Sequence, residues 1–462
     1  MQQYTTILFS ALMIGATACQ SSGDKKDEGI KDSGMVKLIT LDPGHFHAAL
    51  VQKVGYPGVD TTVHVYAPGG PELQSYLSLV KQYNERADNP THWNEVVYTG
   101  NDFAEKMLEE KKGNVVVLSG NNRLKTDYIQ RSVAAGLNVL ADKPMAINST
   151  NFTKLVQAFE EAGKKKVLLY DIMTERSEIT NILQQELMHI PGLFGELKKG
   201  TEKDPAVMIE SIHYFSKNVS GKPLVRPEWF FDADQQGDAI ADVGTHLVDI
   251  VQWQCFPGLL LDYTKDIQIN SARIWPTPLT LSQYASITGK NTYPDFLKKD
   301  IVKDSILNTH ANGEMNYTLK DIHVKIIARW DYKAAEGGDT HHAIVKGTKA
   351  TLEIRQSKTE NFKPVLYILS SGNNKDGFDA AVQEAVATIA AKYPGVNAEK
   401  QGNEWKVIIP SSYDVGHEAH FGQVMERYLQ YLKEGGLPEW EVPNMIAKYY
   451  TTTKALEIAT KK

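Results

Sequence analysis

From Met35 onward the chain alternates short apolar runs with amphipathic helical stretches, and this alternation limits the fold more than any other feature. The runs 36–41, 62–66, 95–98, 115–118, 139–140 and 167–170 have strand length and composition. Between them, 102–110, 125–135 and 149–162 carry helical periodicity. Strands that alternate with helices are predicted to form a doubly wound parallel sheet of Rossmann type, because each crossover helix packs back on the sheet it connects. Ligands bind such sheets beyond the carboxyl ends of the strands. Three loops fall there, 42–47, 119–122 and 142–144, and all point at one crevice.

After Asp171 the pattern changes. A helix is expected around 177–188, strands at 196–199 and 208–215, a helix over 242–253, then strands at 267–275, 323–332, 342–345 and 350–354. Few helices intervene, so the second region reads as an α+β domain built on a large, mostly antiparallel sheet. Residues 373–404 read as a helical insertion, with a helix over 378–393 and a turn at Pro394-Gly395. Amphipathic helices near 421–433 and 443–460 close the chain and can pack back on the first domain. The expected division is a dinucleotide-binding domain over 35–172 and a substrate domain over 173–462. No repeat and no membrane-spanning run stands out.

The first residues carry a separate message. Residues 7–18 form an apolar stretch of signal-peptide length that ends in small residues directly before Cys19. This reads as a lipoprotein leader over 1–19 with acylation of Cys19, followed by a polar tether over 20–34. Lipid chains would then be the only membrane attachment of an exported, periplasmic or envelope protein. Only Cys19 and Cys255 occur, so a lipidated Cys19 leaves Cys255 without a partner, and an inert buried thiol is expected there. The net charge of -6 and the lack of a basic face exclude nucleic acid as a partner.

Two short signals carry the chemistry. Ala141-Asp142-Lys143-Pro144 places a lysine where the chain leaves a buried strand, and the proline keeps it out of a following helical turn. Asp242-Val243-Gly244-Thr245-His246 puts a carboxylate and an imidazole four apart at a helix start. Lys143, Asp242 and His246 converging on an alcohol carbon could take a hydroxyl proton while a cofactor takes the hydride. His246 would be the general base, since imidazole titrates near neutral pH, with Asp242 orienting it. The bland alternative is a capping aspartate and a core histidine. His213, Lys217, Arg226 and Trp229 could line a sugar pocket, where aromatic faces stack on rings and basic groups bond hydroxyls. Of His341 and His342 only one can face a cleft, because strand neighbours point to opposite sides. His417 and His420 lack a third ligand, so no metal is expected.

The segment VVVLSGNNRLKTDYIQRSVAAGLNVLADKPMA, residues 115–146, resembles the Gfo/Idh/MocA oxidoreductase family around its Glu-Lys-Pro motif. Asp142 replaces the glutamate, and Gly120-Asn121-Asn122 stands where Thr-Pro-Asn is common. GDAIADVGTHLVDIVQW, residues 237–253, resembles that family's Gly-rich segment with its aspartate and histidine. The likeness is good over 115–175, fair over 36–114 and 176–255, and weak beyond. It implies NAD or NADP, with Gly44, His45, Phe46, His47, Ser119, Gly120, Asn122, Asp142 and Lys143 around it, and an exported enzyme, with little free nucleotide outside the cytoplasm, is expected to hold it tightly or restore it within each cycle. It also implies that Lys143 polarises the substrate hydroxyl. The cofactor loop departs from a dinucleotide fingerprint, because Asp42-Pro43-Gly44-His45-Phe46-His47 keeps only the middle glycine. Asp42 would repel a phosphate unless turned away, while His45 or His47 could donate to it. Alternatively Asp42 caps the next helix and Phe46 fills the core. Tyr66-Ala67-Pro68 offers neither an acid for ribose nor a base for a 2'-phosphate, which leaves NAD against NADP open.

Three functions follow. The first is hydride transfer between NAD(P) and a secondary hydroxyl of a saccharide or polyol. The second is glycoside cleavage through transient oxidation and elimination. The third is a noncatalytic sugar-binding lipoprotein. A homo-oligomer is compatible with each.

Overall fold

A computed structural model describes residues 34–219, 222–303, 305–372 and 377–461. The expected leader, Cys19 and nearly all of the tether lie outside the described residues. In chain order the first region contains β1 (Leu38–Leu41), α1 (His47–Leu50), β2 (Thr62–Ala67), α2 (Pro71–Glu85), β3 (Asn94–Thr99) and α3 (Phe103–Glu110). It continues with β4 (Val115–Leu118), α4 (Lys125–Ala134), β5 (Asn138–Asp142), α5 (Ser149–Lys165) and β6 (Leu169–Ile172). The six strands are parallel in the order β3-β2-β1-β4-β5-β6. Strand order therefore reverses between β1 and β4, which opens a crevice at their carboxyl ends. Every residue of β1, β4 and β6 is buried, as expected for strands covered on both faces.

The second region runs α6 (Ile179–Met188), β7 (Val207–Ser216), the small pair β8 (Asn218–Val219) and β9 (Lys222–Pro223), α7 (Ala233–Gln236) and α8 (Val243–Cys255). Then come β10 (Ile267–Thr280), α9 (Leu281–Thr288), β11 (Ile301–Val302), β12 (Ile306–Leu319), β13 (Ile322–Lys333), β14 (Thr340–Lys346) and β15 (Ala350–Gln356). The chain ends with β16 (Val365–Ser370), α10 (Phe378–Lys392), β17 (Asn397–Gln401), β18 (Glu404–Ile408), α11 (His417–Glu434) and α12 (Glu441–Thr460). All but β8 and β9 of these strands form a ten-stranded sheet, in which β13 and β7 run parallel and the other pairs antiparallel.

The structure corrects three expectations. The expected strand 196–199 is only an isolated bridge between Leu197 and Gly347. The insertion does not end at its turn, because β17 and β18 add a hairpin to the sheet edge. α11 starts at His417, four residues before the expected helix. Both closing helices serve the first sheet: Phe421, Val424, Met425 and Tyr428 of α11, with Met445 and Tyr449 of α12, belong to its core. Ala447 and Ala455 of α12 belong to the core of the second sheet. Burial pushes the Cys255 thiol up to about 12, which keeps it protonated and unreactive. No described helix is long and apolar enough to cross a membrane.

Candidate active site

β5 delivers Lys143 to the mouth of a cleft of about 620 Å³ between the two sheets. The Lys143–Pro144 peptide is cis. Asp242 stands at the N-cap position of α8 but makes no capping bond. Lys143 Nζ instead donates to its Oδ1 at 2.5 Å. Burial alone would raise the Asp242 pKa, yet the Lys143 ammonium outweighs that and holds it below the ordinary carboxylate value. The expected Asp242–His246 pair does not form, since Asp242 lies before the first helical turn, off the face that carries His246. His246 lines the cleft with Lys143, and its buried Nδ1 has no hydrogen-bond partner. Burial, then the Lys143 charge and His417, hold the imidazole well below its usual pKa, so it is neutral.

Behind Lys143, Asp142 is buried and lines neither cavity, which corrects its expected role beside the cofactor. His47 Nδ1 and Ser119 Oγ both contact its Oδ2 at 2.9 Å, and the Lys125 ammonium donates to its carbonyl at 3.0 Å. Burial opposes the charge on Asp142, but His47, Lys125 and His45 prevail and hold its pKa far below the ordinary range. Asp142 thus fixes His47, whose ring packs at 4.5 Å from Phe421 and 5.9 Å from His417. His45 Nδ1 lies 3.9 Å from the same oxygen. Three ligand-type residues, His45, His47 and Asp142, meet here, with Asp142 Oδ2 in contact with His47 Nδ1 and Ser119 Oγ. His45, Phe46 and His47, expected beside the cofactor, line this cleft.

On the opposite wall His213 Nδ1 and Lys217 Nζ reach Asp339 Oδ2 at 3.0 and 2.8 Å. Arg226 is buried, with its guanidinium over the Phe230 and Trp330 rings at 4.4 and 4.9 Å. His341, His417 and His420 also face the cleft, whereas His342 turns away to Glu353. Trp229 is a correction. The 3-10 turn Glu228–Phe231 sends Phe230 into the cleft and Trp229 to the other side, against the Gly44 loop. Residues that the sequence did not single out are Asp339 and Glu175. Glu175 lies just past the carboxyl end of β6, and burial beside Glu178 pushes its pKa up to about 7. Its place after a parallel strand was the one available signal for it.

A second cavity of about 250 Å³ lies at the ends of β1, β2 and β4, lined among others by Gly44, Gly69, Glu72, Asn121 and Arg123. A nicotinamide dinucleotide fits this pair of cavities. Backbone approaches closely where it should: a Cβ on Gly120 would stand 2.2 Å from the Asp42 carbonyl oxygen, so only glycine serves there. Glu72, in the first turn of α2, lines this cavity and would offer a ribose the carboxylate that the β2 end lacks. Asp42 is the discordant group. It does not cap α1, it takes a left-handed φ of 51°, and burial and Glu72 push its carboxyl up to about 6. The Gly44 and His45 amides donate to Ser119 O at 3.1 and 3.2 Å, which turns them from a phosphate. Asn122 is also turned away, its side chain donating to Gln236 O at 2.7 Å. Gly44, Glu72, Asn121 and Arg123 would hold the adenosine half, and His45, Lys143 and His246 the nicotinamide half.

A reversing six-stranded sheet with a lysine at the end of its fifth strand, facing a second, sheet-walled cleft, is the architecture of a dinucleotide-dependent oxidoreductase. A family profile described as "Oxidoreductase family, NAD-binding Rossmann fold" matches residues 55–170, and one described as "Putative oxidoreductase C terminal domain" matches 183–460. A crystal structure of a "putative oxidoreductase" from Parabacteroides merdae is 52% identical, with a TM-score of 0.90 over 92% of this chain and 98% of that one. The fold is shared, at 14% identity and TM-score 0.51, by KijD10, a 3-ketoreductase from Actinomadura kijaniata in complex with TDP-benzene and NADP, over 89% of this chain and 94% of that one. It is shared too, at 12% and 0.54, by the WlbA dehydrogenase from Bordetella pertussis with NADH and UDP-GlcNAcA, over 93% and 97%. No curated protein matches. The chain belongs to the Gfo/Idh/MocA oxidoreductase family, and its first domain is an NAD-binding Rossmann domain.

Proposed function

We propose that the protein transfers a hydride between NAD(P) and a secondary hydroxyl of a saccharide or polyol. The observation that carries this reading is the Lys143–Asp242 ion pair at the mouth of the cleft, with the unpartnered His246 nitrogen beside it. The nicotinamide, when bound, supplies the hydride acceptor. Asp242 holds the Lys143 side chain in place, so its ammonium can donate to the substrate oxygen and stabilise negative charge growing there. The neutral His246 takes the hydroxyl proton. Trp330 and Phe230 offer apolar faces to a ring, and His213, Lys217 and Asp339 offer polar groups to its hydroxyls. Two carboxylates and several imidazoles also suit the elimination chemistry of a glycosidase, and net hydrolysis without free ketosugar would favour that second reading.

The test has two stages. Mass spectrometry of the denatured protein is expected to release NAD(H) or NADP(H), and a sugar panel is expected to change the 340 nm absorbance of that nucleotide. Lys143→Ala should then lower turnover by ~10²–10⁴ on the active sugar. Wild-type turnover in this variant would end the assignment, and a protein that releases no nucleotide would point to a binding lipoprotein. The reading includes an exported, lipid-anchored location, supported by the apolar stretch before Cys19. Metabolic labelling with a radioactive fatty acid should mark the wild type and not Cys19→Ser.

A further inference from the structure

We propose that the cleft selects an uncharged saccharide and turns away sugars carrying a carboxylate or phosphate, nucleotide-diphosphate sugars included. The inference rests on the sugar oxidoreductase reading above and adds the charge class of its substrate. Among the described residues three cationic side chains reach the cleft, Lys143, Lys217 and Arg226, and each of the three already has a partner. Lys143 is held by Asp242 at 2.5 Å and Lys217 by Asp339 at 2.8 Å. Arg226 donates from Nε to Phe215 O at 3.0 Å and from Nη2 to Tyr214 O at 3.3 Å, sandwiched against two aromatic rings in the field of Asp242 and Asp339.

Four more acidic residues line the cleft, Glu175, Glu178, Asp414 and Glu418, of which Glu418 is paired with Lys53, and burial raises the pKa of Glu175 and Glu178. Burial first, and then neighbouring positive groups, hold His45, His246, His341 and His417 below their usual pKa, so these four add no positive charge near neutral pH. A phosphate or carboxylate entering this space would have to break an existing ion pair or sit uncompensated beside acids, and both are costly away from water. Neutral hydroxyls meet the opposite situation. Asp339 Oδ1, His246 Nδ1 and His420 Nδ1 are buried on the cleft residues without a hydrogen-bond partner, and two of the three stand on opposite walls. Each can accept from a hydroxyl but not from a carboxylate or phosphate oxygen, so these positions suit O–H groups and not the charged group of an anionic sugar. The neighbours crystallised with UDP-GlcNAcA and TDP-benzene share the fold at 12% and 14% identity, and that likeness does not carry their ligand charge to this cleft.

The full chain with its bound nucleotide is titrated with glucose, maltose, glucuronate and UDP-glucose, following tryptophan fluorescence, since Trp330 lines the cleft. A neutral sugar is expected to bind on the order of tenfold or more tighter than either charged one. Equal or tighter binding of glucuronate or UDP-glucose would overturn the inference while leaving the sugar oxidoreductase reading intact. Binding of none of the four would count against that reading itself, and against this inference with it. Asp339→Asn removes the carboxylate that neutralises Lys217, so glucuronate affinity should rise several-fold. Thermal melting checks that the variant folds, and a folded Asp339→Asn with unchanged glucuronate affinity would overturn the inference as well.

Discussion

Lys143 and Asp242 are 99 positions apart, yet both were legible in the sequence, because each sits in a short motif at the end of a regular element. Their pairing was not legible. The motif suggested that Asp242 serves His246, and only the position of Asp242 ahead of the first turn of α8 shows that it serves Lys143. Asp339 and Glu72 escaped notice for a different reason: neither lies in a motif, and only the fold brings them to a cavity. Glu175 gives a prediction that is independent of substrate. Its folded pKa of about 7 exceeds the ordinary 4.5, first through burial and then through Glu178. The stability this carboxyl contributes is full below pH 4.5 and is lost as pH rises through about 7. Gln has no proton to lose, so Glu175→Gln should melt higher than wild type at pH 8 by on the order of 1–3 kcal/mol, with the gap shrinking toward pH 5. Thermal melts of both proteins at the two pH values measure it, and a gap independent of pH would mean that Glu175 ionises normally.

At the scale of elements, strands flanked by glycine or polar turns were readable and the rest were not. β4 was bounded correctly because Val115–Leu118 is a pure apolar run. α2 was missed although Leu73, Tyr76 and Val80 form a buried stripe, since polar residues fill the positions between them. β12 was missed because Asn312 and Gly313 interrupt its pattern, the glycine being required where a Cβ would meet Ile240 Cγ1 at 2.4 Å. The segment carrying Trp229, α7 and Gln236 had no reading as an element, yet it forms a strap across the nucleotide groove. Asn121 Nδ2 donates to Gln235 Oε1 at 2.8 Å, the Asn122 amide to Gln235 O at 2.9 Å, and Trp229 covers the Gly44 loop. A strap bonded to the β4 loop slows exit of whatever lies beneath it. Asn121→Ala with Gln235→Ala should raise the nucleotide dissociation rate about tenfold for the loss of one half-buried polar contact. Stopped-flow displacement of fluorescent NADH measures that rate, and an unchanged rate would remove the strap from the retention of the cofactor.

The molecule as a whole is tied together by charges rather than by apolar packing alone. Arg176, just past β6, donates to Asp249 of α8 at 2.7 Å through two nitrogens and to Glu441 of α12 at 2.9 Å. Lys448 of α12 is fully buried and bridges Asp171 of β6 at 2.7 Å and Asp249 at 2.8 Å, while the Tyr449 hydroxyl donates to Asp171 at 2.9 Å. The sheet of the first domain, α8 beneath the second sheet and the last helix therefore share one buried network, and α12 contributes side chains to both hydrophobic cores. Two regions coupled in this way cannot unfold separately without exposing half of the network or stranding its charges. Calorimetry should show one transition, raised as a unit by added nicotinamide nucleotide. Lys448→Met leaves Asp171 and Asp249 short of a partner in a space that water does not reach, and should lower that transition by ~3–5 kcal/mol of stability without splitting it. Two resolved transitions in the wild type would show that each domain holds itself together, whereas splitting only in Lys448→Met would show that this one ammonium carries the coupling between them.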